Sequence, residues 1–211
     1  MDRRQLSLYL VTDRTLASGR SIEDIVSEAV SGGVTMVQLR EKCADTREFV
    51  EIALRLKEIL KSNGVPLIIN DRIDVALACD ADGVHIGQSD MPYALAREIL
   101  GPDKIIGLSV ENLRQVEEAN ALDVDYVGIS PVFSTATKTD TAEPFGLEGL
   151  ARAVRMSAHP AVAIGGINAT TVADVMRCGP DGVAVVSAIV SAASPRRAAE
   201  ELSVLQKNSR Q

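Results

Sequence analysis

Eight short aliphatic runs, each followed by a segment of helical period, constrain the fold of this chain more than anything else in it. The runs cover residues 6–11, 35–40, 66–70, 83–86, 105–110, 126–132, 161–164 and 182–186. Helical segments follow at 21–31, 45–62, 71–79, 91–100, 113–121, 146–157, 169–178 and 194–207, with Ser21 and Asn112 as N-caps and Asn63-Gly64 as a stop. Runs that are apolar almost throughout leave no face for water, so the strands belong to a parallel sheet covered on both sides. A related phrase recurs at strand entries: Gly33-Val34-Thr35, Ala81-Asp82-Gly83-Val84, Val124-Asp125-Tyr126-Val127 and Pro180-Asp181-Gly182-Val183. An open doubly wound sheet would carry a glycine-rich phosphate loop after its first strand, and Leu10-Val11-Thr12-Asp13-Arg14 contains no glycine. The expected fold is a (β/α)8 TIM barrel forming a single domain over residues 1–211.

The 3% aromatic content, with no Trp, suits aliphatic layers around buried strands. A net charge of −7 argues against a general nucleic-acid binder, though a few cations in a cleft still set a local potential. Cys43, Cys79 and Cys178 form no CxxC pair, so a disulfide framework or zinc site is not expected and a reducing, cytoplasmic setting is. No run has the length of a membrane span or of a secretory h-region. The sequence does not fix the oligomeric state and is compatible with a homo-oligomer.

In a barrel of this class, polar residues at the C-terminal ends of the strands build the site. Gln38, Arg40 and Lys42 occupy every second position of the second strand and its exit, so they share a face, while Val37 and Leu39 take the other. Two cations beside an amide suit a phosphate-rich ligand; solvation of the strand exit beside Glu41 is the plainer alternative. Strand three ends in Asn70-Asp71-Arg72, strand four in His85-Ile86-Gly87-Gln88 and then Asp90, and strand five at Ser109. Asp71 and Asp90 could each cap a helix. Taken with Arg40 and Lys42 they match a Mg²⁺ site, since Mg²⁺ takes one or two carboxylates and completes its shell with phosphate oxygens.

A second group, Gly165-Gly166 with Val186-Ser187, follows strands seven and eight, where barrels commonly hold a monophosphate on backbone N–H groups. Between the groups runs Ser134-Thr135-Ala136-Thr137-Lys138-Thr139-Asp140-Thr141, a polar stretch suited to a lid or a surface loop. Two phosphate sites on one mouth point to two phosphorylated small-molecule substrates and to group transfer.

These residues resemble the thiamine phosphate synthase family. The resemblance runs from Tyr9-Leu10-Val11-Thr12-Asp13 through the second strand, Ile69-Asn70-Asp71-Arg72, Ala81–Gln88, Gly107-Leu108-Ser109 and Thr135-Ala136-Thr137-Lys138 to Ala163–Ile167 and Val185–Ile189. It implies a Mg²⁺-dependent transferase of thiamine biosynthesis. The reaction would join 4-amino-2-methyl-5-(diphosphooxymethyl)pyrimidine to a carboxylated thiazole phosphate, releasing pyrophosphate and CO₂. By resemblance, Gln38, Leu39, Arg40, Glu41, Lys42, Asn70, Ser109 and Lys138 bind the pyrimidine diphosphate. Arg40, Lys42, Ser109 and Lys138 carry the catalysis, and Asp71 and Asp90 hold Mg²⁺. Thr135, Ala136, Thr137, Gly166, Val186 and Ser187 bind the thiazole phosphate. Ser130 and Ser134 depart from the family pattern, which more often has Gly and Pro there.

Other classes remain to be weighed. A thiazole tautomerase or a sugar-phosphate isomerase would need neither the paired cations nor the paired acids, and a binding module would sense a precursor without turning it over. His85 is expected to pack inside the barrel and His159 to lie away from the mouth.

Overall fold

The chain is described from a computed structural model covering residues 1–134 and 143–209. Strands β1 (Leu8–Val11), β2 (Met36–Leu39), β3 (Leu67–Asn70), β4 (Gly83–Ile86), β5 (Ile105–Val110), β6 (Tyr126–Ile129), β7 (Ala161–Ile164) and β8 (Gly182–Val185) pair in parallel, each with the next. The circle closes where Leu8 of β1 registers with Val183 of β8. Helices α1 (Ile22–Ser31), α2 (Thr46–Lys61), α3 (Ile73–Ala78), α4 (Tyr93–Leu100), α5 (Leu113–Ala119), α6 (Gly146–Met156) and α7 (Val172–Arg177) separate successive strands. After β8 come a short α8 (Ser187–Val190) and α9 (Pro195–Ser209). This is the (β/α)8 barrel expected from the alternation of runs.

The strands are apolar on both faces because each face meets a different core. Leu8, Leu10, Val37, Leu39, Leu67 and Ile69 face the helices, whereas Tyr9, Val11, Met36, Ile68, Tyr126, Val162 and Ala184 fill the barrel. Helix ends follow ordinary capping chemistry: Ser21, Asp45 and Asn112 accept from the backbone N–H of Asp24, Glu48 and Gln115.

The recurring phrase at strand entries has a physical cause. Thr35, Asp82, Asp125 and Asp181 each immediately precede an even-numbered strand. Their side chains, through Thr35 Oγ1 and one Oδ2 from each Asp, accept from the N–H of Leu8, Leu67, Ile106 and Ala161, at 2.9, 2.8, 2.9 and 2.8 Å, at the start of the preceding odd-numbered strand. The barrel thus repeats as four two-strand units, each locked at its N-terminal end by one side chain. Polar residues at the opposite end take no part in these locks.

Candidate functional site

A cavity of about 510 Å³ opens at the C-terminal end of the strands. Gln38, Arg40 and Lys42 all line it, as the two-residue alternation requires. Asn70, Asp71, Asp90 and Ser109 line it from the neighbouring strand ends, and Gly166, Val186 and Ser187 from the far side. Leu39 and Glu41 do not. Leu39 is fully buried in the helix-facing core, and the Glu41 carboxylate, 2% exposed, pairs with Arg14 at 3.3 Å. Period two turns those two side chains away from the mouth, which leaves only their backbone for contact with a ligand held by residues 38–42. Thr135, Ala136, Thr137 and Lys138 lie outside the described residues. Ser130 lines the cavity, whereas Ser134 is exposed in the segment after it.

Opposite charges converge on one side of the rim. Lys42 Nζ donates to Asp71 Oδ2 at 2.8 Å. Asp71 sits in the left-handed region with φ 61°, a conformation that Asp tolerates better than most residues. Asp90 Oδ2 accepts from Gly87 N at 2.7 Å, which folds the loop after β4 back over the strand end. Burial raises the Asp90 pKa first, and the adjoining Asp71 carboxylate raises it further. Arg40 is not paired with these acids: its Nη1 lies 2.9 Å from Asp13 Oδ2, and its backbone N–H donates to Thr12 Oγ1 at 3.0 Å. Asp13 is fixed in turn by the Thr15 N–H and hydroxyl, at 2.9 and 2.5 Å. The part played by Asp13 is not evident in the sequence, because its partner lies 27 residues away.

Among the described residues no group of three or more His, Cys, Asp or Glu side chains gathers to hold a metal. An all-protein cage is thus not what these residues form. Two adjoining carboxylates beside Lys42, all three lining the cavity, are instead a donor set that fits Mg²⁺, an ion that commonly completes its shell with ligand oxygens and water. Gly165 and Gly166, at φ 108° and 67°, bring the backbone to the opposite wall. A Cβ on Gly166 would meet Phe133 Cβ at 2.8 Å, so the close approach there also excludes any larger residue.

Inside the barrel, His85 Nε2 lies 2.8 Å from Ser109 Oγ and Nδ1 lies 3.0 Å from Tyr126 Oη. Burial pushes the His85 pKa down to about 4 against the opposing charge of Asp71, so the ring is neutral at pH 7. His85 packs inside, as expected, yet it also lines the cavity. Burial raises the pKa of Tyr9 and Tyr126, keeping both phenols protonated. His159 is engaged elsewhere, its Nε2 lying 3.0 Å from the Ala119 carbonyl, and it does not line the cavity.

Comparison with known proteins agrees with this geometry. The family model described as thiamine monophosphate synthase matches residues 8–189. A thiamine-phosphate synthase of Albidiferax ferrireducens is 55% identical over 197 residues, covering 93% of this chain and 90% of its own. One from Vibrio campbellii is 53% identical over 92% of this chain and 95% of its own. Among solved structures, a thiamine phosphate pyrophosphorylase from Pyrococcus furiosus superposes with a TM-score of 0.91 at 42% identity, covering 98% of both chains. The chain therefore belongs to the thiamine monophosphate synthase family.

Proposed function

We propose that this protein is a thiamine-phosphate synthase. It transfers the 4-amino-2-methylpyrimidin-5-ylmethyl group from its diphosphate to the ring nitrogen of a carboxylated thiazole phosphate. The bond between the methylene carbon and the diphosphate oxygen breaks, and its electron pair leaves with pyrophosphate. The electron-rich aminopyrimidine supports the positive charge left on the methylene carbon until the thiazole nitrogen attacks. The carboxylate then departs as CO₂, leaving the electron pair of the broken C–C bond on the ring carbon next to the new cationic nitrogen, and that carbon takes a proton from water. The nitrogen has no proton to lose, so the demand is for positioning and charge stabilisation.

The observation that carries this reading is the meeting of Lys42, Asp71 and Asp90 on one rim, with Arg40 lining the same cavity. Arg40 and Lys42 bind and neutralise the departing diphosphate, joined in this reading by Lys138. Asp71 and Asp90 would hold Mg²⁺, which supplies further charge neutralisation for the diphosphate when bound. Asn70 and Ser109 orient the pyrimidine diphosphate, while Gly166, Val186 and Ser187, with Thr135 to Thr137, hold the thiazole phosphate. Both ring nitrogens of His85 are engaged within the protein, consistent with chemistry that uses no general base. No described helix is long and apolar enough to cross a membrane, and all three cysteines are free, which suits a cytoplasmic setting.

The test incubates the protein with both precursors and Mg²⁺, with and without EDTA, and follows pyrophosphate. Release that needs both substrates and the metal is expected. Binding of a precursor with no release would make the protein a sensor instead.

A further inference from the structure

The barrel interior carries a polar chain whose inner members, Tyr9, Tyr126 and His85, the reaction as described leaves without a role. Gln38 Nε2 donates to Tyr9 Oη at 2.8 Å, and Tyr9 Oη lies 2.8 Å from Tyr126 Oη. Tyr126 Oη is 3.0 Å from His85 Nδ1, and His85 Nε2 is 2.8 Å from Ser109 Oγ. The five residues come from β2, β1, β6, β4 and β5, so the chain crosses the barrel. The surrounding strands make space for it. A Cβ on Gly107 would stand 2.1 Å from Tyr126 Cζ, and one on Gly128 would stand 3.1 Å from His85 Cε1. Alanine at either position would displace a ring of the chain.

Proton accounting gives this chain a direction. Each phenol has one proton to donate. Tyr9 and Tyr126, 1% and 0% exposed, cannot turn to bulk water. Gln38 donates an N–H to Tyr9, and that nitrogen cannot accept in return, so Tyr9 donates to Tyr126. Tyr126 then donates to His85 Nδ1, which must carry a lone pair. The ring proton accordingly sits on Nε2 and is donated to Ser109 Oγ. The hydroxyl proton of Ser109 is left for the cavity that Ser109 lines.

We propose that Tyr9, Tyr126 and His85 are positioning residues, forming a one-way hydrogen-bond relay that fixes the Ser109 hydroxyl as a donor and the Gln38 amide oxygen as an acceptor toward the substrate. The proposal rests on the reading of Gln38 and Ser109 as ligands of the pyrimidine diphosphate. It selects substrates that present an N–H group to the β2 side and an anionic or lone-pair acceptor to the β5 side. Reversing the relay would reverse both preferences.

The direct test is nitrogen NMR of the full chain labelled with ¹⁵N-histidine. Only two sets of signals arise, because the chain has two His, and a His159→Gln variant identifies them. His159 is an internal reference, since its Nε2 can only donate to the Ala119 carbonyl. His85 is expected to carry its proton on Nε2 as well. Tyr126→Phe removes the donor to Nδ1 and is expected to give a mixture of His85 tautomers with kcat reduced about tenfold. Tyr9→Phe leaves the Tyr126-to-His85 bond in place, so the tautomer should persist while KM for the pyrimidine substrate rises about tenfold through a loosened Gln38. A His85 proton on Nδ1 in the wild-type chain overturns the relay. So do wild-type kcat and KM in both folded phenylalanine variants. Should Tyr126→Phe fail to fold, the wild-type tautomer and Tyr9→Phe decide the matter. The tautomer is read without substrate, so a wild-type chain that releases no pyrophosphate refutes the proposed reaction and not the relay.

Discussion

Gly107→Ala is a small change with a large expected effect, because the space a methyl group would need is already filled. The added Cβ would stand 2.1 Å from Tyr126 Cζ and 2.3 Å from its Oη, whereas ordinary contact begins at 3.4 Å. Tyr126 is wholly buried and cannot swing out, so its ring must retreat by more than an ångström into a close-packed interior. Overpacking of this kind costs about 1–3 kcal/mol. The same movement strains the bonds from Tyr126 to Tyr9 and His85, and leaving a buried polar group unsatisfied costs about 1–3 kcal/mol more. A total of about 4 kcal/mol is a large share of the roughly 5–15 kcal/mol that holds an ordinary domain together. Urea unfolding followed by far-UV circular dichroism measures it directly. A double-mutant cycle with Tyr126→Leu isolates the cause: shrinking the ring should be far less damaging once the new methyl group is present, with a relieving coupling of about 2 kcal/mol. A Gly107→Ala cost below about 1 kcal/mol, or strict additivity in the cycle, would refute the steric argument.

Two further substitutions probe the rim. Arg40→Ala is expected to lower turnover about 100-fold or more while far-UV dichroism is unchanged, because Asp13 keeps both bonds to Thr15; Lys138→Ala should lower turnover similarly, and near-normal rates in both would defeat the assigned roles. Asp90→Asn should raise the Mg²⁺ concentration for half-maximal pyrophosphate release about tenfold or more, yet leave the metal-free Tm at or above that of the wild type, since it removes one of two adjoining negative charges; a clear fall in that Tm would contradict the reading.

Much of the fold is legible in the sequence, and the departures have identifiable physical causes. The runs at 83–86, 105–110 and 161–164 coincide with β4, β5 and β7 because turn residues bound them closely. The apolar run at 126–132 is longer than the strand it contains: β6 ends at Ile129, ahead of Pro131, which has no N–H to give a ladder. Leu6 continues the first aliphatic run yet closes a 3₁₀ turn over Arg3–Leu6 that Asp2 caps. The four-residue α8 is too short to carry a periodic signal. At the site, charged residues at strand exits are conspicuous because a buried strand has little structural use for them. Tyr9 and Tyr126 are not, because an inward tyrosine reads as core until its hydroxyl partner is known, and that partner is 117 residues away. The Arg40–Asp13 pair is hidden by the same kind of distance.

The rim also shows why stability and activity need not favour the same residues. Asp71 is held in a left-handed conformation that costs on the order of 1 kcal/mol for a residue with a side chain. Asp90 is partly withdrawn from water next to a like charge, and Lys42 offsets only part of that repulsion. Each arrangement opposes folding when the cavity holds no ligand. In the proposed reaction a dication joining the carboxylates and a diphosphate taking up the lysine would offset the repulsion between the two acids, since opposite charges would then compensate one another. On the proposed reading the repulsion between the acids belongs to the binding step, where a metal-bound polyanion would offset it, while Thr35, Asp82, Asp125 and Asp181 lock the opposite end of the barrel.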